Sequence, residues 1–408
     1  MKVVHICKLP DGGATWCAMR ISAALNDSDV ESSMLLMNGE EVDGIAVAEK
    51  DAIYKKHDNV LVRMLMKAVK FMVRPRFEYL KYLRRKAEAS GKVFFTSPVT
   101  EYTCLTEHPA IKAADIVHLH WVSDFVDFPS FFKKIDKPVV WTIHDENPGL
   151  GGFHYVSAKQ NAGDAYLKLD KIYAGIKKKA VNSGKTPHLV AISSEMRDFF
   201  LSNEILRNCP VTLIHNGVEG KLYKMLDKEE CREKLGIPLK KKVFLFSSFA
   251  IEDKRKGLSL LIEALERLND SSVMLICLGG YNEIPKSSIE IRCVGLVSDK
   301  DLLSRYYSAA DYFVLSSFQE GFAQTPLEAM ACGTPVVAFP CSGASEQINT
   351  VTGVVCEDFT VNALQAGIRQ AMGTAYSSGT IRADVLRRFD YGIIAKQYIR
   401  LYKEILKS

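Results

Sequence analysis

The stretch Tyr312-Phe313-Val314-Leu315-Ser316-Ser317-Phe318-Gln319-Glu320-Gly321-Phe322-Ala323-Gln324-Thr325-Pro326-Leu327-Glu328-Ala329-Met330-Ala331-Cys332-Gly333-Thr334-Pro335 decides the fold. Its first four residues are apolar and β-favouring, a run of the length and kind of a buried strand. Ser316 and Ser317 open a loop that carries Glu320 and Gly321. From Thr325 the pattern is helical. Thr325 is placed to cap, Pro326 suits the first helical position, and Gly333 suits the C-terminal stop. Leu327 and Met330 share one face, as a core-facing helix requires. Strand, loop and helix in this order point the helix N-terminus into the crevice at the carboxyl end of a parallel sheet, where open α/β sheets bind ligands.

Backbone N–H groups at a helix start, with the helix dipole, attract anions such as phosphate. Gly321 has no Cβ and lets a ligand approach the backbone closely. Glu320 and Glu328 each present a carboxylate able to accept two hydrogen bonds from a diol, which sugars and ribose both offer. Taken singly, either glutamate reads as a capping or solvated carboxylate. The whole string, Glu320, seven residues, Glu328, then Ala-Met-Ala-Cys-Gly-Thr-Pro-Val-Val-Ala, resembles the donor-site signature of the family-four retaining glycosyltransferases of GT-B fold. That resemblance implies transfer of a sugar from a nucleotide diphosphate, with retention at the anomeric carbon and no metal ion. It also implies Glu320 at the sugar, Glu328 at the ribose, and the Gly321, Phe322 and Ala323 amides at the diphosphate.

The length of 408 residues suits two domains rather than one core. Hydrophobic residues at 47% and charged residues at 25% describe a globular chain. The formal net charge of +5 is too mild to argue for nucleic acid. No apolar run reaches the length of a membrane span, and the N-terminal run Met1 to Cys7 is too short for a signal peptide. Ten cysteines are scattered with no C-x-x-C pair, which fits buried thiols in a reducing cytoplasm and makes a metal site unexpected.

The first strand, Lys2 to Cys7, runs into Pro10-Asp11-Gly12-Gly13 and then an amphipathic run to Leu25. This strand, glycine turn and helix is a phosphate-cradle layout, although it lacks G-x-G-x-x-G and the Walker lysine. Two adjacent glycines also suit a plain tight turn. In the resembling family a Gly12–Gly13 loop lies beneath the donor diphosphate. Asp27-Ser28-Asp29 sits between a helix and a strand, as a surface turn does.

Residues 55–86 carry Lys55, Lys56, Arg63, Lys67, Lys70, Arg74, Arg76, Lys81, Arg84, Arg85 and Lys86 interleaved with apolar residues, and Pro75 splits them into two helical pieces. Two readings fit: a basic amphipathic helix lying on an anionic membrane surface, and an ordinary helix with its apolar face in the core. The first suits a lipid-linked acceptor and a cytoplasmic enzyme peripheral at the inner face of the membrane.

Ala114 to Trp121 and Pro138 to Glu146 each read as an apolar strand ending in a histidine, His120 and His144, at the carboxyl edge. The resemblance assigns His120 to the donor sugar, as a catalytic contact, and His144, Asp145 and Tyr155 to the acceptor side. Asn216-Gly217 is a strong turn signal, which places the domain boundary there: residues 1–216 acceptor-binding, 217–390 nucleotide-sugar-binding, and 391–408 a helix crossing back to the first domain.

Alternating strands and helices in each half give an α/β fold of two Rossmann-like, doubly wound domains facing across a cleft. In the second half, Asp253-Lys254-Arg255-Lys256-Gly257 follows the first strand. Cations there suit a pyrophosphate, each charge-assisted bond contributing roughly 1.5–3 kcal/mol. In the resembling family an arginine precedes the Lys256 position by six residues; here that residue is Ala250. Either Arg255 supplies the missing guanidinium, or Lys256 and backbone groups stabilise the leaving group without it. The expected activity is a metal-independent hexosyltransferase using a UDP-sugar in preference to a GDP-sugar, acting on a glycan or lipid-linked saccharide in surface polysaccharide synthesis. An epimerase of the same fold and a non-catalytic nucleotide-sugar-binding subunit are the alternatives.

Overall fold

Seven parallel strands form one sheet and six form another. They are β1 (Lys2–Cys7), β2 (Glu31–Leu36), β3 (Ile45–Val47), β4 (Ile116–Leu119), β5 (Val139–Ile143), β6 (His188–Ala191) and β7 (Val211–Leu213), then β8 (Lys242–Ala250), β9 (Val273–Gly280), β10 (Glu290–Gly295), β11 (Tyr312–Leu315), β12 (Val336–Ala338) and β13 (Gly353–Val355). The orders are β3-β2-β1-β4-β5-β6-β7 and β10-β9-β8-β11-β12-β13. Both are doubly wound, with the order reversing between β1 and β4 in the first sheet and between β8 and β11 in the second. Ligands bind at such switch points, outside the carboxyl ends of the strands. This is a computed structural model, and it describes residues 1–9, 12–55, 58–89, 91 and 93–407. Pro10 and Asp11 of the first turn, and Lys56 of the basic stretch, lie outside the described residues.

The strands are buried nearly end to end because parallel sheets are covered on both faces. In the second sheet, Phe244, Phe246, Leu275, Cys277, Val314 and Val337 pack against Leu261, Leu265, Leu364 and Ile368 of the flanking helices. Eight of the ten cysteines are buried; Cys104 is exposed and Cys293 intermediate. Burial pushes the Cys209, Cys332 and Cys356 thiols up to about 12.

The chain divides into two compact units, Met1–Ile214 with Gln397–Ser408, and His215–Lys396. This moves the expected boundary at residues 216 and 217. His215 stacks on Phe322 at 4.9 Å, and the Val218 N–H donates to the Phe389 carbonyl, so the Asn216-Gly217 turn is packed inside the second unit. The last helix is Tyr391–Lys407, and only from Gln397 does it belong to the first unit.

Helices α1 (Gly13–Asn26), α2 (Val60–Val73) and α3 (Pro75–Glu88) complete the N-terminal part relevant to function. Pro75 does break the basic stretch in two. Phe77, Leu80 and Ala87 of α3 are buried, whereas no residue of α2 is. The Arg74 elbow between them is fixed by Asp127 at 2.9 Å and the Thr100 carbonyl at 2.6 Å. Asp27, Ser28 and Asp29 form an exposed turn. Among the described residues no helix is long and apolar enough to cross a membrane.

Candidate functional site

In the second unit the two loops at the switch point are stapled together. Phe318 N–H donates to the Arg255 carbonyl at 2.8 Å, and Ser316 Oγ donates to the Lys256 carbonyl at 2.9 Å. Gly257 makes this possible: its φ is +67°, and a Cβ there would lie 2.0 Å from the Ser316 oxygen. The consequence is that Lys256 Nζ sits 2.7 Å from Glu320 Oε1, with the two side chains 26% and 14% exposed. An ammonium and a carboxylate thus share the crevice beyond β8 and β11. The Arg255 guanidinium bonds Asp253 at 2.7 Å and is half exposed.

The signature helix spans Gln324–Ala331. Its N-cap is Ala323 rather than Thr325, and no side chain caps it, so Pro326 falls at the third helical position. The C-terminal reading is right in kind: Gly333 has φ +83°, its N–H reaches the Met330 carbonyl, and Thr334 N–H reaches that of Ala329. This is the paired bonding of a Schellman stop. Phe322 is 4% exposed and clamped between His215 and Gly343. Ser342 Oγ donates to the Gly321 carbonyl and Gln347 to that of Ala323, holding the loop from outside.

Glu328 is 7% exposed, with Tyr223 hydroxyl on one oxygen at 2.6 Å and Tyr307 hydroxyl on the other at 2.9 Å. Burial, with the Glu328 charge beside it, pushes the Tyr307 phenol well above its ordinary value, so it stays protonated and donates. The two tyrosines hold and orient Glu328.

In the first unit the strand-end histidines form a chain. His5 Nδ1 lies 2.9 Å from His120 Nε2, and His120 Nδ1 lies 3.1 Å from His144 Nε2. His118 joins Tyr402 at 2.7 Å and Thr142 at 2.8 Å. His120 is 2% exposed with both ring nitrogens engaged, while His144 is partly exposed. Burial lowers His120 well below the ordinary range and pulls His144 to about 4, so both are neutral near pH 7. Among the described residues His5, His118 and His120 are the one group with metal-ligand spacing, and the nitrogens of the last two are already bonded as above.

Asp145 is held by Trp121 Nε1 at 3.0 Å, His154 Nδ1 at 2.6 Å and Asn147 N–H at 3.0 Å. Tyr155 follows it, half-buried. The loop is shaped by Gly152, where a Cβ would meet the Phe95 ring at 2.3 Å. Beneath it Lys177 is buried, donating to the Asn147 carbonyl at 2.6 Å, and burial pulls its pKa down to about 7. Gly12 and Gly13 open α1 with exposed backbone, and Gly12 needs its φ of +122°. Sequence reading missed His5, His118, Tyr223, Tyr307 and Lys177. The two-residue spacing of His118 and His120, which puts both on one face of β4, was the signal available.

Residues 12–220 match Glycosyltransferase Family 4, and residues 227–375 match Glycosyl transferases group 1. The chain is 24% identical over 394 residues to an uncharacterized glycosyltransferase of Methanocaldococcus jannaschii, covering 90% of this chain and 91% of that one. Among solved structures it is similar to a sucrose-phosphate synthase from Thermosynechococcus elongatus, with TM-score 0.69, 18% identity, and 100% and 99% of the two chains covered. It is also similar to HepE of Anabaena in complex with UDP and glucose, with TM-score 0.64, 18% identity and 99% of each chain covered. These two likenesses show the fold.

Proposed function

We propose that this chain, which belongs to glycosyltransferase family 4, moves a hexose-type sugar from a nucleotide diphosphate sugar to a glycan or lipid-linked saccharide. The transfer retains anomeric configuration, uses no metal ion and serves surface polysaccharide synthesis. The single observation carrying the reading is the Lys256–Glu320 pair at the switch point of the second sheet, 2.7 Å apart beside an uncapped helix N-terminus. When the bond from the anomeric carbon to phosphate breaks, charge develops on the diphosphate. Lys256 and the amides from Gly321 to Ala323 are preorganised to stabilise it, the kind of contribution that dominates such reactions. Glu320, released from Lys256 as the diphosphate takes that ammonium, accepts from sugar hydroxyls. The acceptor hydroxyl attacks from the side the diphosphate leaves, and its proton passes to the departing phosphate oxygen. A UDP-sugar is favoured because the Anabaena neighbour was solved with UDP and glucose.

The acceptor is assigned to the first unit, with His144, Asp145 and Tyr155. Helix α2 supports a lipid-linked one. Leu61, Met64, Leu65, Phe71 and Met72 are each more than 60% exposed, while Arg63, Lys67 and Lys70 form one narrow stripe. An apolar helix face left in water beside cations fits an anionic bilayer, each cation contributing about 1 kcal/mol. Leu61→Asp with Leu65→Asp should abolish sedimentation with phosphatidylglycerol vesicles; unchanged sedimentation would remove the membrane from the proposal.

The functional test is a thermal-shift screen of nucleotide-sugars, since a bound ligand raises stability, followed by incubation of the stabilising donor with and without saccharide acceptors. Sugar transfer that needs an acceptor supports the reading. A new nucleotide-sugar formed without acceptor makes the protein an epimerase, and tight binding without turnover makes it a binding subunit.

A further inference from the structure

The first unit holds a cavity of about 360 Å³ at the carboxyl edge of its sheet, beside the switch point. Lys8 reaches it from the end of β1, Asn38 from the end of β2, Asp124 from beyond β4, and Lys81 and Arg84 from α3. Four cations, Lys8, Lys50, Lys81 and Arg84, face two carboxylates, Glu101 and Asp124. Glu101 is shared: Lys50 Nζ lies 2.7 Å from one oxygen and Lys81 Nζ 2.8 Å from the other. Burial alone would raise the Glu101 carboxyl, yet these two bonds outweigh it and hold it below the usual range. Asp124 is shared too, between Arg84 at 2.7 Å and Lys8 at a loose 3.4 Å.

Asp124 also has φ +56°, a left-handed conformation that a non-glycine residue adopts at a cost. It is pinned there by the Ser97 N–H at 2.6 Å and by Arg84. Such strain collects where a side chain must be aimed for binding. The rest of the wall mixes hydroxyls, from Ser97, Thr100 and Tyr102, with the apolar Phe77 and Leu80. Volume and lining are those of a small-ligand pocket, and an excess of cations over carboxylates at a partly enclosed site selects an anion.

We infer that this cavity binds an anionic group, a phosphate ester or a carboxylate, on the saccharide acceptor. The assignment rests on the proposed transferase reading only in calling the ligand an acceptor; the anion preference follows from the cavity itself. Lys81 and Lys50 would exchange Glu101 for the ligand oxyanion, while Lys8, loosely held, swings from Asp124. The hydroxyls would then meet the sugar ring.

The test is calorimetric titration of the full chain with glucose 1-phosphate, glucuronate and neutral glucose, with UDP as a separate control. Variants are Lys50→Ala with Lys81→Ala, whose part-exposed side chains carry little stability, and Lys256→Ala. The expected result is binding of at least one anionic sugar, at least about tenfold tighter than glucose. The double variant should lose about tenfold or more of that affinity while UDP binding changes less than about twofold. Glucose 1-phosphate alone points to a phosphate ester, glucuronate alone to a carboxylate. Loss of anion binding in Lys256→Ala, an unaffected double variant, or no binding of either anion up to about 10 mM would overturn the assignment. Failure of UDP alone to bind counts against the donor reading and leaves this cavity's result standing.

Discussion

Replacing Lys256 by Ala removes the ammonium that Glu320 now holds at 2.7 Å and that, in the proposed mechanism, stabilises the departing diphosphate. Removing one preorganised donor to a developing anion costs about 10²–10³ in turnover, or about 2.7–4 kcal/mol. The stability cost is much smaller. With side chains 26% and 14% exposed, the pair contributes about 1 kcal/mol after solvent screening, a shift of roughly 2–4 °C in Tm for a unit of this size. A variant that stays folded near the wild-type Tm yet loses two orders of magnitude in nucleoside diphosphate release separates chemistry from folding. A simpler role for Lys256 would be to neutralise Glu320, and a double-mutant cycle decides this. Were neutralisation its whole task, Lys256→Ala with Glu320→Gln would regain wild-type turnover. With Lys256 on the diphosphate and Glu320 on the sugar, the double variant should be no faster than Lys256→Ala. A fall of less than about threefold in Lys256→Ala, or recovery in the double variant to within about threefold of wild type, would refute the mechanism.

Gly257→Ala should weaken nucleotide binding and lower Tm together, since φ +67° costs a side chain about 1–2 kcal/mol and the new Cβ meets the Ser316 oxygen at 2.0 Å; calorimetry showing wild-type affinity would remove the staple's role. Tyr307→Phe leaves buried Glu328 one donor short and should cost about 1.5–3 kcal/mol in denaturant unfolding, against no change if Glu328 gains nothing from it. The histidine chain makes the first unit acid-sensitive. His144 titrates near 4 when folded and near 6.5 when unfolded, so the unfolded chain takes up the proton first and stability is lost as pH falls from about 6.5 toward 4. Thermal melts across that window should slope downward, less steeply in His144→Asn; an unchanged slope in that variant would contradict the assignment.

The loop between β11 and the helix Gln324–Ala331 was legible because its determinants are local: a short apolar run, Gly321, two glutamates and Gly333 lie within one continuous stretch. Lys256 was legible for the same reason, as a lysine before a glycine just past a strand. What the sequence hid is non-local. The helix begins after Ala323 with no side-chain cap, while Gln347 and Ser342, from elsewhere in the chain, donate to the loop carbonyls before it. Glu328 meets Tyr223 across a separation of 105 residues, and His120 meets His5 across 115, pairings that only the sheet order creates. Helix α2 was ambiguous in sequence because its pattern fits a core face and a membrane face equally; burial decides that no core covers it.

Isothermal titration of UDP and GDP into the wild-type chain and into Lys256→Ala tests most directly whether Lys256 and Glu320 mark a nucleotide diphosphate site. The expected result is saturable binding of UDP to the wild type, tighter than GDP, and a loss of about tenfold or more in Lys256→Ala, the fold-change that about 1.4 kcal/mol gives. No binding of either nucleotide to the wild type, or equal affinity in the variant, would contradict it.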